Sequence, residues 1–179
     1  MTQKILIVIL AILLTSCAAN VVKLNSSSGK TDNPDKIRAQ SLFIDGSILE
    51  LKGEYNEAIP LYLEALKFDP QPGLYYTVAK NYYRLNKLSA ALNYSKRAVE
   101  RDSANVEFLM LNATVYAASH LTDSAEVVFN KIIKLDSRNV TAYYNLAQIC
   151  ESKKPGLALS YYKKVIELTG PEWNILTKI

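Results

Sequence analysis

The chain has 179 residues, of which 49% are hydrophobic, with 6 glycines, 6 prolines and a formal net charge of +4. This composition favours a packed, mostly helical body no larger than one domain. Lys and Arg are dispersed among Asp and Glu along the chain, so no basic stripe indicates a nucleic-acid partner.

Residues 1–16 have the pattern of a targeting segment. Lys4 precedes the unbroken apolar run Ile5–Leu14, whose ten residues are too few for a membrane-spanning helix, which needs about 20. A short basic region followed by such a run is typical of a secretory signal peptide. The run ends in Leu14-Thr15-Ser16-Cys17, which resembles the lipobox of bacterial lipoproteins.

The resemblance to bacterial lipoproteins implies that Cys17 is acylated and becomes the N-terminus of the mature chain. More than one acyl chain gives stable anchoring, whereas a single chain binds a membrane only marginally. Two alternatives stay open: an ordinary signal peptide cleaved near Ala18-Ala19, or an uncleaved anchor. By resemblance to enterobacterial sorting, Ala18 after the cysteine favours the outer membrane, facing the periplasm. Residues 17–35 are rich in turn formers and are expected to be a flexible tether.

Residues 36–170 contain a helical hairpin pattern of about 34 residues four times, approximately at 39–71, 72–105, 106–139 and 140–170. An alanine of the second helix recurs at spacings of 33, 34 and 33 residues, as Ala58, Ala91, Ala125 and Ala158. A small residue of the first helix recurs as Gly46, Ala79, Ala113 and Ala147. Such a period predicts a solenoid, because one hairpin cannot bury its apolar face alone and its neighbours must stack on it.

These residues resemble the tetratricopeptide repeat. Its pattern has a bulky residue, Leu-Gly and Tyr in the first helix, then Ala, an aromatic residue, Ala and Pro in the second. The first copy matches this pattern at Leu42, Gly46, Ala58, Tyr62, Ala65 and Pro70. The resemblance implies an all-α solenoid of four helical hairpins that forms a right-handed superhelix. It also implies a role in protein–protein interaction rather than catalysis.

The sequence also predicts where Gly46, Pro60 and residues 171–179 lie relative to the helices. Gly46 is expected inside a helix at a close helix contact, although Asp45-Gly46 also matches a turn signal. The second helix is expected to begin near Asn56, which puts Pro60 in its first turn, where a missing N–H matters little. Residues 171–179 are interpreted as a short capping helix or a truncated fifth repeat.

No residue pattern indicates catalysis, a cofactor, a metal or a small-molecule substrate. His120 is the one histidine and has no cysteine or second histidine near it in the sequence, so we expect a solvated turn residue. No Gly-rich phosphate loop occurs. Cys150 is expected to be a buried apolar residue, with intermolecular pairing as the alternative.

In solenoids of the resembled type, the first helices line a concave groove. One step round from the core-facing positions, these helices carry Phe43, Ser47, Tyr76, Lys80, Tyr83, Met110, Thr114, Tyr144 and Gln148. This aromatic strip with a few polar heads has the composition expected of a groove for a peptide or a helix. The alternative is that the same residues only pack against adjacent repeats.

The functional prediction is a non-enzymatic adaptor or scaffold, lipid-anchored in the bacterial envelope, that presents this groove to an envelope protein or peptide. The alternative is an accessory subunit of an envelope enzyme complex in cell-wall metabolism, proteolysis or secretion, whose catalytic chain is separate. Some members of the resembled family clamp a C-terminal carboxylate with Lys and Asn. The corresponding positions here are Phe43, Ser47, Leu111, Thr141 and Asn145, so that ligand is not expected.

Overall fold

The computed structural model describes residues 33–171, in which we find eight α-helices and no strand. The helices are α1 (Pro34–Leu51), α2 (Tyr55–Phe68), α3 (Pro72–Arg84), α4 (Leu88–Arg101), α5 (Val106–Ala118), α6 (Thr122–Leu135), α7 (Val140–Cys150) and α8 (Pro155–Thr169). They pair as four hairpins, and each hairpin packs on the next. Several predicted features lie outside the described residues. These are the signal peptide, Cys17, nearly all of the tether, and the 171–179 segment except its first residue.

The turns inside the first three hairpins each contain a left-handed residue at the same repeat position. Gly53, Asn86 and His120 have φ angles of 80°, 55° and 59°. Glycine adopts this conformation freely, and asparagine and histidine do so more readily than most other residues. His120 is exposed in its turn, so its prediction as a solvated turn residue is confirmed.

Small residues let the helices of each hairpin approach closely. The recurring alanine of the second helices is buried at Ala58, Ala91, Ala125 and Ala158. Gly46 lies inside α1, where an added Cβ would stand 2.8 Å from Cε1 of Tyr62. Because α1 continues to Leu51, the close-packing interpretation of Gly46 is confirmed and the turn alternative is wrong.

Pro60 does not lie in the first turn of its helix, so this expectation is wrong. The helix α2 begins at Tyr55, which makes Pro60 its sixth residue. Because Pro60 has no N–H, the carbonyl of Asn56 lacks the hydrogen bond that the residue four positions later would normally donate. Both residues are exposed, so water can supply the missing hydrogen bond, and the helix continues to Phe68.

Cys150 is buried at the end of α7, as predicted, and forms no disulfide within residues 33–171. Burial raises the pKa of this thiol. Tyr82 and Tyr116 occupy the same repeat position and pack against the core, but both keep part of their surface exposed.

None of the helices within residues 33–171 is long and apolar enough to cross a membrane.

Candidate functional site

The nine predicted groove residues all lie on the first helices of the hairpins, and none of them is fully buried. Their partners in the structure divide them into groups with different surroundings. Three of them line one cavity, three others lie at a polar cluster, and Tyr144 packs against the second helix of its own hairpin.

The first group lines a cavity between α3, α5 and α7. Tyr76, Met110 and Thr114 contribute to its walls, and its volume is about 560 Å³. The remaining lining residues are Val106, Glu107, Leu111, Asn139 and Thr141. This volume falls within the range of ligand-binding clefts, roughly 300–1,000 Å³. Residues of three successive hairpins thus form one candidate binding site.

Tyr76 belongs to this cavity and also to the contact between the second and third hairpins. Its phenol donates a hydrogen bond of 2.6 Å to Oε1 of Glu107, and its ring centroid lies 5.2 Å from that of Phe108. Burial, and then the carboxylate of Glu107, raise the pKa of Tyr76 well above its ordinary value. The phenol therefore keeps its proton, and the hydrogen bond, at neutral pH.

The second group of predicted residues lies at a polar cluster centred on Glu50. The Glu50 carboxylate accepts hydrogen bonds from the Tyr62 phenol at 3.0 Å and from Nδ2 of Asn81 at 2.9 Å. Nζ of Lys80 lies 2.7 Å from its other oxygen. Burial alone would raise the pKa of Glu50, but these hydrogen bonds and the Lys80 charge outweigh it and lower the pKa. Lys80 is thus the ion-pair partner of Glu50 in α1.

Asn81 is fully buried beneath this cluster. Its amide nitrogen donates to Glu50 and to the backbone oxygen of Thr77, both at 2.9 Å. Within residues 33–171 its side-chain oxygen has no hydrogen-bond partner. The equivalent residue of the third hairpin is the fully buried Val115, so a polar side chain is buried here where that hairpin buries an apolar one.

Phe43 and Ser47 lie beside the same cluster on α1. Oγ of Ser47 donates to the backbone oxygen of Phe43 at 2.8 Å and lies 3.3 Å from the phenol of Tyr62. Phe43 is 41% exposed, and its ring centroid lies 5.6 Å from that of Tyr62. A second cavity of about 300 Å³ is lined by Phe43 together with Ala39, Gln40, Ile44, Asp69, Gln71 and Leu74.

The remaining predicted residues are Tyr83 near the C-terminal end of α3, Tyr144 in the middle of α7 and Gln148 in the last turn of α7. Tyr144 packs edge-on against Tyr162 with ring centroids 6.0 Å apart, and the Tyr162 phenol donates to Glu151. Tyr83 is half-buried and Gln148 is exposed. For all nine residues, the partner-binding role stays a prediction.

Sequence reasoning missed Glu50, Asn81 and Glu107 as parts of this surface. Glu50 and Asn81 are 31 residues apart, and so are Tyr76 and Glu107. This spacing equals one repeat minus one helical turn, and it brings residues of successive hairpins side by side. The same spacing joins two further hydrogen-bonded pairs: Lys87 in the turn before α4 with Asn56 of α2, and Tyr161 of α8 with Asn130 of α6.

No three His, Cys, Asp or Glu side chains within residues 33–171 gather as a metal site.

Comparisons with known proteins agree with the architecture. A model of the tetratricopeptide repeat matches residues 39–72 and 72–105. Among solved structures, the chain is similar to YrrB, described as a TPR protein with an unusual peptide-binding site. The TM-score is 0.70 with 23% identity, over 78% of this chain and 73% of that chain. It is also similar to the first TPR of Spaghetti (RPAP3) bound to the HSP90 peptide SRMEEVD. Here the TM-score is 0.62 with 24% identity, over 65% of this chain and 94% of that chain.

Among curated proteins, sperm-associated antigen 1 of Mus musculus is 28% identical over 97 residues. The match covers 54% of this chain and spans 11% of the length of that protein. The predicted fold class is confirmed: the described residues form an all-α solenoid of the tetratricopeptide type. Solenoids of stacked repeats present extended concave surfaces that are used for binding other proteins.

Proposed function

We propose that this chain is a non-enzymatic adaptor that holds a segment of a partner protein against its first helices. The observation that carries this proposal is the cavity shared by α3, α5 and α7, which Tyr76, Met110 and Thr114 line. Apolar side chains next to a few polar groups suit the binding of a peptide. Two similar structures add support, because one is described as having a peptide-binding site and the other as bound to a peptide.

The proposal extends to location and partner class. A lipid on Cys17 would anchor the chain in the bacterial envelope, at the outer membrane facing the periplasm, and residues 17–35 would tether the repeats to the bilayer. The support is the sequence Leu14-Thr15-Ser16-Cys17 after an apolar run of suitable length. The partner would then be an envelope protein or peptide.

The test is a substitution that fills the cavity from an exposed position. Thr141 is exposed, is the second residue of α7 and lines the cavity, so Thr141→Trp should block it without disturbing the core. Ser160→Trp is the matched control, because Ser160 is exposed on α8 and is not among the lining residues. The full-length chains are crosslinked in membranes and purified, and their partners are identified by mass spectrometry.

Partners should be recovered with the wild type and with Ser160→Trp, and should be depleted about 10-fold with Thr141→Trp, which corresponds to the loss of one central contact. Circular dichroism should show the same helical content and melting temperature for all three chains. A folded Thr141→Trp chain that keeps every partner would show that the cavity is not the binding site.

A further inference from the structure

One carboxylate belongs to the cavity between α3, α5 and α7. Glu107 is exposed and is the second residue of α5, and Tyr76 holds one of its oxygens at 2.6 Å. The ion pairs of residues 33–171 do not include Glu107. Its negative charge is therefore held in place by a phenol but is not neutralised by a cation.

The two cations that follow Tyr76 on α3 have other partners. Lys80 pairs with Glu50, and the guanidinium of Arg84 lies 5.5 Å from the ring centroid of Tyr55. None of the eight residues that line the cavity is a lysine or an arginine. A ligand that enters the cavity therefore meets one negative charge without a positive counterpart among its walls.

The rest of the lining is mainly apolar. Val106, Met110 and Leu111 contribute hydrocarbon and thioether surface, and the flexible Met110 can adapt to side chains of different shape. A long side chain with an apolar stem and a cationic head matches both features. Lysine and arginine bury their stems on apolar surface while their heads reach a charge or solvent.

We propose that this cavity is the subsite for a lysine or arginine side chain of the bound partner segment, with Glu107 as the group that recognises its charge. The inference rests on the proposed function, because it states the chemistry of the segment that the groove binds. An acidic side chain would meet Glu107 as a like charge and would be rejected. Tyr76 acts as a positioning residue, since it holds the carboxylate at the cavity.

A random seven-residue peptide library displayed on phage tests this inference with the full-length chain in detergent. Peptides retained by the wild type should be enriched in lysine or arginine at one position beside an apolar residue. The Glu107→Gln chain should keep the apolar preference and lose the basic one. The matched control is Glu100→Gln, because Glu100 is an exposed residue of α4 that does not line the cavity.

The most enriched peptide is then synthesised with lysine or with norleucine at the basic position. The wild type and Glu100→Gln should prefer lysine about 10-fold, and the preference should weaken with added salt. Glu107→Gln should bind both peptides within about 2-fold of each other, because the charged partner is gone.

The outcomes separate this inference from the function on which it rests. Peptides that bind the wild type without basic enrichment, or a lysine preference that survives in Glu107→Gln, would overturn the subsite and leave the groove in place. If the wild type retains no peptide and Thr141→Trp keeps every envelope partner, both the subsite and the adaptor groove are wrong.

Discussion

The ammonium of Lys80 lies 2.7 Å from the carboxylate of Glu50, and this ion pair ties α3 to α1. Glu50 is only 17% exposed in its side chain, and it also accepts hydrogen bonds from Tyr62 and Asn81. Removing one member of such a cluster leaves the other polar groups partly buried without their partner, which costs more than the pair itself contributes. The stacking of the first two hairpins therefore depends on this carboxylate.

The first prediction concerns the pH dependence of this cluster. The folded-state pKa of Glu50 lies below its ordinary value of 4.5, so the unfolded chain binds the proton more readily. The stability that Glu50 contributes is then fully present above that ordinary value and is lost as the pH falls through the folded-state pKa. Glu50→Gln should lower the free energy of unfolding at neutral pH by about 1–3 kcal/mol.

Urea unfolding followed by circular dichroism measures this effect at neutral and at acid pH. The difference between wild type and Glu50→Gln should shrink in acid, because the wild-type carboxylate is then protonated as well. Glu54→Gln is the control, since Glu54 is exposed in the turn before α2. An equal destabilisation by Glu50→Gln at both pH values would contradict the electrostatic account.

The second prediction concerns the close contact at Gly46. A Cβ added there would meet the buried ring of Tyr62 at 2.8 Å, so Gly46→Ala should overpack the first hairpin. The expected loss is about 1–3 kcal/mol in the free energy of unfolding, despite the higher helix propensity of alanine. Gly73→Ala is the matched control, because nothing lies within 4 Å of a Cβ at that position in α3. Equal urea midpoints for the two variants would show that Tyr62 can move aside.

The third prediction separates two tyrosines of the proposed groove. Tyr76 hydrogen bonds to Glu107 and packs on Phe108, so Tyr76→Ala should lower the free energy of unfolding by about 1–3 kcal/mol. Tyr83 is half-buried near the end of α3, and Tyr83→Ala should change stability by less than about 1 kcal/mol while weakening partner recovery. Thermal unfolding and the crosslinking assay measure the two effects. A strong loss of stability in Tyr83→Ala would assign that ring to packing alone.

Local periodicity predicted the hairpins, because recurring small residues such as Ala125 and Gly46 must lie where two helices touch. The start of α2 was predicted near Asn56 and lies one residue earlier, at Tyr55. Pro60 falls beyond the first turn from either start, so its position follows from the 3.6-residue turn of the helix and not from the missing cap at Glu54. The partners of Lys80 and Tyr76 could not be read from either helix alone. They lie on other hairpins, and only the stacking geometry brings them together.

The last prediction concerns the anchor. If Leu14-Thr15-Ser16-Cys17 is a lipobox, cells fed an alkyne fatty acid should label the wild-type chain, and Cys17→Ser should abolish the label, because serine lacks the thiol that accepts the lipid. The matched control is Cys150→Ser, since Cys150 is 1% exposed and its buried thiol is not a site for acylation. The Cys17→Ser chain should also keep its signal peptide and run at higher apparent mass in gel electrophoresis. Label that persists in Cys17→Ser, or that disappears in Cys150→Ser, would refute anchoring through Cys17.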